Sequence, residues 1–200
     1  MLKLGVVLAC FAAAACVGLA LVYNVTKEII AVRSQADLEA ALKDLFPNAD
    51  AFTDITGEIS SPQATVVFGS QYAIKQGNTL LGTAIQASGP SYGGPITVLV
   101  GVGADGRIAG AKILEHQDTP GLGANAASPS YFVDKAAKLT FYGQFAGKPV
   151  TDPFEAAGDI TAVTASTITS RAVSLVVKTS GNAAAGWMAA QGTAIQGGSQ

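Results

Sequence analysis

The chain has 200 residues, 49% of them hydrophobic and 13% charged, with a formal net charge of −2. That length suffices for one domain with a sizeable core, and the near-balanced charge, with no basic run or basic-aromatic patch, excludes a nucleic-acid surface. The two cysteines, Cys10 and Cys16, both fall in the apolar N-terminal segment. Disulfides and Cys-based metal or iron–sulfur sites are thereby excluded from the rest of the chain, and the single histidine, His116, is no basis for a His-based metal cluster.

Residues 4–23 form an unbroken, uncharged apolar run, long enough as a helix to cross a hydrocarbon core of ~30 Å. Tyr23 stands as an interfacial aromatic, with Lys3 before the run and Lys27, Arg33 and Lys43 after it, so the basic residues leave the orientation ambiguous. A cleaved signal peptide is the rival reading, and Ala13-Ala14-Ala15-Cys16 superficially resembles a lipoprotein site. The run outlasts a typical signal core and continues in helical style through Ile29 and Ile30, which favours an uncleaved anchor. Cys10 and Cys16 do not share a helix face and read as small apolar residues in lipid or against a partner helix.

Residues 26–46 are expected to be helical, with Leu38, Ala41, Leu42 and Leu45 at helical spacing and Pro47-Asn48 as the stop. Residues 50–62 read as a polar connection. Five β-prone runs follow, at 65–68, 72–75, 80–87, 96–102 and 107–114, with hairpin signals at Gly77-Asn78 and Asp105-Gly106. Spacing this short holds no crossover helix, so the sheet is expected to be antiparallel. Between the third and fourth runs lies a long Gly/Pro turn, residues 88–95, carrying Tyr92. Such a turn can hold a flat ring, although a plain loop is the more ordinary reading. Pro120-Gly121 fits a type II turn, and Gly123 leaves the backbone accessible. Residues 130–139 are expected to form a short helix. A closing helix is expected to run to about Ala190, interrupted or kinked at Gly181, with Trp187 either on the domain or near a membrane. The last residues are expected to form a flexible tail.

The most informative stretch opens that closing helix: Thr164-Ala165-Ser166-Thr167-Ile168-Thr169-Ser170-Arg171, in which five of eight residues carry hydroxyls. Such residues near a helix start bond the unpaired backbone N–H groups. The same N–H groups and the helix dipole also favour a bound anion such as phosphate. On these residues alone, a hydroxyl-rich cap without a ligand is the default, because such caps are common. A hydrolase nucleophile is a weak third option, because Ser or Thr needs an adjacent base and His116 is distant in sequence.

The stretch resembles the Ser/Thr-Gly-Ala-Thr-x-Thr-Ser signature of the FMN-binding domain in the G subunit of the Rnf electron-transport complex, which the C subunit of the sodium-translocating NADH:quinone oxidoreductase shares. Here Thr164, Ala165, Ser166 and Thr167 fill the tetrad, with Ala165 where the family usually has Gly and Ser166 where it usually has Ala. Many members carry an acid three residues before the tetrad; that place is Thr161 here, with Asp159 nearby. Three further segments are similar to the family in the same order. Tyr92, Gly94 and Ile96 match its Gly-Tyr-x-Gly-x-Ile turn, with Ser91 for the leading Gly. Glu115-His116-Gln117-Asp118-Thr119-Pro120-Gly121-Leu122-Gly123 matches His-x-Glu-Thr-Pro-Gly-Leu-Gly, with Asp118 for Glu. The segment from Phe141 through Gln144-Phe145 to Gly147-Lys148-Pro149 matches an aromatic, Gln-Phe, Gly-Lys-Pro stretch.

The resemblance implies an α+β fold: one N-terminal transmembrane helix, then an FMN-binding domain with an antiparallel sheet flanked by helices. The expected organisation is anchor 1–25, connecting helix and linker 26–62, FMN-binding domain 63–190 and flexible tail 191–200. It implies FMN held covalently through a phosphoester on Thr167, with Thr164, Ala165, Ser166, Thr169 and Ser170 around that attachment. Thr119, Gly121, Leu122, Gly123 and Tyr92 are then expected near the isoalloxazine or its polar tail. His116 reads as a half-exposed structural histidine before it reads as an acid–base group. The implied role is an electron relay in an ion-translocating oxidoreductase, coupled to sodium or proton transport. Its partners would be the complex's other membrane and cluster-bearing subunits. Location would be a single pass in the cytoplasmic (inner) membrane, with the FMN domain on the extracytoplasmic side. No catalytic residue or metal is expected on this chain, which lacks a Gly-x-Gly-x-x-Gly fingerprint and cluster cysteines. The alternatives are the C subunit of the quinone reductase, whose family the compact length disfavours, and a cofactor-free anchored binding domain.

Overall fold

A computed structural model describes the backbone from Leu2 to Gly197 and the side chains of residues 3–191. The chain divides into two units, Met1–Glu39 and Ala40–Gln200. The first unit is helix throughout its described residues and belongs to α1 (Leu2–Leu45). Among the described residues this is the one helix long and apolar enough to cross a membrane. Its large apolar side chains from Leu4 to Val32 stand exposed, as a helix apolar all round requires a non-aqueous surrounding or a partner.

In the second unit, five strands form one antiparallel sheet in sequential order: β1 (Ala51–Asp54), β2 (Val67–Gln76), β3 (Thr79–Pro90), β4 (Pro95–Gly103) and β5 (Ile108–Glu115). The antiparallel sheet is therefore as expected. The two short runs at 65–68 and 72–75 are one strand, β2, bent by a register shift between Phe68 and Gln71. A bulge of this kind breaks period-two alternation and makes one strand look like two. Edge strand β1 lies in what reads as a polar connection. Its four residues are mostly exposed, and Phe52 pairs with Ile74.

Both faces of the sheet are covered, so β4 is buried almost throughout. On one face the end of α1 packs: Ala41, Leu42 and Phe46 are buried, and a Cβ at Gly101 would lie 2.9 Å from the Phe46 ring. The other face carries α2 (Thr167–Gly197), whose Val173, Val176 and Val177 join Ile85, Val98, Val100, Val102 and Ile108 in the main core. Full burial of each such side chain contributes roughly 1.5–3 kcal/mol before entropy is charged against it.

The helix expected over residues 130–139 is instead a small hairpin, β6 (Phe132–Asp134) and β7 (Leu139–Thr140). Asp134 Oδ1 accepts from the N–H groups of Ala136 and Ala137, at 2.8 and 3.0 Å, so the side chain takes the donors a helix start would use and makes a turn. Gly181 does not interrupt α2. Its missing side chain lets Ile108 and Val150 approach, and a Cβ there would lie 3.1 Å from Ile108 Cδ1. Trp187 packs on the domain, its Nε1–H donating to Glu58 Oε2 at 3.2 Å. The helical backbone runs on to Gly197, past Ala190, and residues 198–200 of the expected tail lie outside the described residues.

Candidate functional site

The β3–β4 ladder stays paired up to Pro90 and Pro95, so the hairpin ends in the tight turn Ser91–Gly94, closed by Ser91 N–H donating to Gly94 O at 2.9 Å. β5 ends beside the start of β4, and the chain then runs along this turn. A Cβ on Gly93 would collide with the carbonyl of Gln117, so a glycine is needed for the two backbones to touch. Next comes the Pro-Gly turn: Leu122 N–H donates to Thr119 O at 3.1 Å and Gly121 has φ +78°, the left-handed third position of a type II turn. A 3-10 helix (Gly123–Ala127) follows.

The third wall is the start of α2. The first intrahelical bond runs from Ser170 N–H to Ser166 O at 3.0 Å, which makes Ser166 the cap residue. The N–H groups of Thr167, Ile168 and Thr169 precede that ladder and have no partner four residues back. Ala165, just before the cap, has φ +59°, a conformation that costs an L-residue on the order of 1–2 kcal/mol and that glycine adopts freely. The glycine usual at this place in the resembling motif thus has a backbone reason.

These three segments enclose a cavity of about 490 Å³, lined by Tyr92, by Asp118, Thr119, Leu122 and Gly123, and by the run from Ala165 to Thr169. That volume falls within the range of small-molecule sites, roughly 300–1,000 Å³. Of the eleven residues singled out in the sequence, eight line it. Gly121 shapes the adjacent turn, and Thr164 lies outside the lining, exposed, with its N–H donating to the Tyr131 hydroxyl at 3.3 Å. Ser170 is fully buried beneath: its Oγ donates to Ser166 O and accepts from Val163 N–H, both at 3.0 Å. The hydroxyls therefore sort into different places. Ser166 and Thr169 are buried, Thr167 is exposed and faces the cavity, and Ser166 Oγ has no hydrogen-bond partner. Ser166 thus does not act as the side-chain cap that its position predicts. Arg171 is exposed and outside the lining.

Asp118 matches the acidic place of the resembling motif, but sequence reasoning assigns it no role. Only 5% exposed, it accepts from Gly93 N–H on Oδ1 at 2.7 Å and from Ser91 Oγ–H on Oδ2 at 2.8 Å. Burial alone would raise its pKa. The Gly93 and Ser91 donors, a third from the Thr169 hydroxyl, and the nearby His116 outweigh it, and the carboxyl titrates below its ordinary value. His116 itself is half-buried, beside rather than in the cavity, with Nδ1 lacking a partner.

The approach to the tetrad is also pinned. The Gln144 amide accepts from Thr161 N–H at 2.8 Å and donates to Thr161 O at 3.0 Å, so one side chain satisfies both backbone groups of a single residue. Asp159 accepts from Glu155 N–H at 2.6 Å and pairs with Lys148 at 3.4 Å.

Residues 91–180 match the FMN-binding domain family, and residues 1–45 match the RnfG N-terminal region. The chain is 34% identical over 150 residues to the G subunit of the ion-translocating oxidoreductase complex of Cereibacter sphaeroides, a match covering 74% of this chain and 65% of that protein. It is 32% identical over 165 residues to the G subunit of the proton-translocating ferredoxin:NAD(+) oxidoreductase complex of Clostridium ljungdahlii, covering 80% and 78%. With the G subunit of the ion-translocating oxidoreductase complex of Vibrio atlanticus it shares 34% identity over 188 residues, covering 88% and 86%.

Proposed function

Since the chain belongs to the family of G subunits of ion-translocating oxidoreductase complexes, we propose that it is a membrane-anchored flavoprotein that carries FMN on Thr167 and relays electrons within such a complex. The observation that carries this is the sorting of hydroxyls. Of the five in the motif, Thr167 alone is both exposed and part of the cavity lining.

The residues present fit FMN. The N–H groups of Thr167, Ile168 and Thr169, which precede the intrahelical ladder in a segment lining the cavity, would bind a phosphate there, and the positive end of the helix dipole would offset its charge. A phosphoester on Thr167 Oγ leaves the ring free of the chain. Leu122 and Tyr92, 45% and 71% exposed, offer apolar surface on the other walls. Gly123 keeps the floor open: a Cβ there would lie 2.6 Å from both Asp118 Cβ and Thr169 Oγ1, so no larger residue fits without displacing them.

FMN supplies one- and two-electron chemistry, and the protein supplies position and electrostatics. No acid–base pair is needed on this chain for that task. Asp118 is among the residues lining the cavity, and the helix start would hold the phosphate end. α1 serves as a single-pass anchor in the cytoplasmic membrane, with the domain on its extracytoplasmic side. The other members of the complex donate and accept the electrons, coupled to sodium or proton movement.

The test uses the full chain produced together with a flavin-attaching enzyme. After denaturation, flavin fluorescence should remain with the protein band and be absent from a Thr167→Ala variant. A dark wild-type band, or a fluorescent variant band, overturns the assignment.

A further inference from the structure

Asp118 stands out because nothing about its burial serves the core. It belongs to no apolar cluster, and its carboxylate sits in the cavity wall, 5% exposed, where desolvating a charge is costly unless donors surround it. The fold supplies those donors from segments far apart in the chain: Gly93 N–H and Ser91 Oγ–H from the β3–β4 turn, and the Thr169 hydroxyl from the first turn of α2. Both carboxylate oxygens accept, and the Gly93 donor is a backbone N–H that cannot reverse its role. One side chain thus joins the turn carrying Tyr92 to the helix start carrying Thr167, and it places a negative charge in the wall of the cavity between them.

We infer that Asp118 is a positioning and tuning residue, whose buried carboxylate in the cavity wall holds the reduction potential of a flavin bound there low. This rests on the functional reading above. The physics is elementary. Reduction adds electron density to the ring, and a neighbouring anion in a partly desolvated wall disfavours that added charge. The Ser91, Gly93 and Thr169 donors keep the carboxylate in place and ionised but do not cancel its charge.

The experiment is a spectroelectrochemical titration of the flavin-loaded full chain and of Asp118→Asn and Asp118→Glu, at one neutral pH, with thermal unfolding recorded alongside. Asp118→Asn, nearly isosteric but neutral, should move the midpoint potential to a higher value. Asp118→Glu, which keeps the charge, should stay closer to the wild type than the Asn variant does. A merely structural role would lower the unfolding temperature of Asp118→Asn and leave the potential where it was, and that result overturns the inference. Should Asp118→Asn fail to fold or load, Asp118→Ser takes its place: it also removes the charge, so the potential should again rise, and an unchanged or lowered value overturns the inference. If the wild type carries flavin and no variant shifts as stated, only this inference fails. If the wild type carries none, the functional reading fails and takes the inference with it.

Discussion

The first turn of α2 and the turns that follow are one continuous helix, yet they are built to different ends. From Val173 to Ala184 the inward face is packed to completion: Val173, Val176, Val177 and Ala184 are fully buried against the sheet. Around Thr167 the opposite choices prevail. Ala165 holds a left-handed backbone, Ser166 Oγ is sealed without a partner, Ile168 is 55% exposed, and a carboxylate is buried beside Thr169. The left-handed Ala165 and the sealed Ser166 hydroxyl cost stability, and with the exposed Ile168 and the buried carboxylate they surround one exposed hydroxyl. Local rules broken in a cluster, on an element that obeys them elsewhere, mark a functional site.

The contrast breaks most sharply by substitution at its two ends. Thr167→Ala is expected to abolish covalent flavin while leaving thermal unfolding of the flavin-free chain unchanged; Thr164→Ala, three residues away and outside the cavity, should retain flavin. Equal loss in both variants, read by in-gel fluorescence, would erase the distinction. Where the sheet packs against the helix body, the reverse holds. Ile108→Ala removes a fully buried side chain next to Gly181 and should destabilise by about 2–5 kcal/mol in denaturant unfolding.

Smaller effects sharpen the picture. Ala165→Gly relieves a left-handed alanine, worth roughly 1–2 kcal/mol, against the greater unfolded-state freedom of glycine, roughly 0.5–1 kcal/mol. The net should be a modest rise in melting temperature, and a fall would mean that this backbone is not strained. Asp118 adds a pH signature. Its pKa is depressed in the fold, so its contribution is complete above the unfolded value near 3.8 and is lost as pH falls through the lower folded value. Acid unfolding curves should therefore show a loss of stability below about pH 4 that is smaller in Asp118→Asn, where the depressed carboxyls of Asp54 and Asp159 still contribute. The smallest effect belongs to the exposed pair Lys112–Asp44, 2.6 Å apart, where Lys112→Ala should cost less than about 1 kcal/mol in denaturant unfolding and less still in high salt.

Legibility in the sequence follows the same divide. The sheet is readable because its signals are local: Gly77 and Gly106 sit at tight turns with φ +57° and +75°, and the run at 96–102 is mostly β-branched. The apolar run of α1 is equally plain. β1 is not, since an exposed four-residue edge strand carries no alternation to detect. The hairpin at 132–140 reads as a helix because the capture of two N–H groups by Asp134 is visible only in three dimensions. Much of the cavity is legible through motif resemblance, including Thr119, Leu122, Gly123 and the tetrad. Asp118 is visible as a motif position, but its burial is not: its partners Ser91 and Gly93 lie 27 and 25 residues upstream, and an aspartate in a loop gives no sign of them. The left-handed Ala165 is hidden too, because alanine does not advertise a positive φ as glycine does.

The most direct test of the central claim is peptide mapping by tandem mass spectrometry on the purified full chain, produced with a flavin-attaching enzyme. The account predicts a single adduct, FMN less one water per chain, localised by fragmentation to Thr167. An adduct on Thr164 or Thr169, or an unmodified motif peptide as the dominant species, would contradict it.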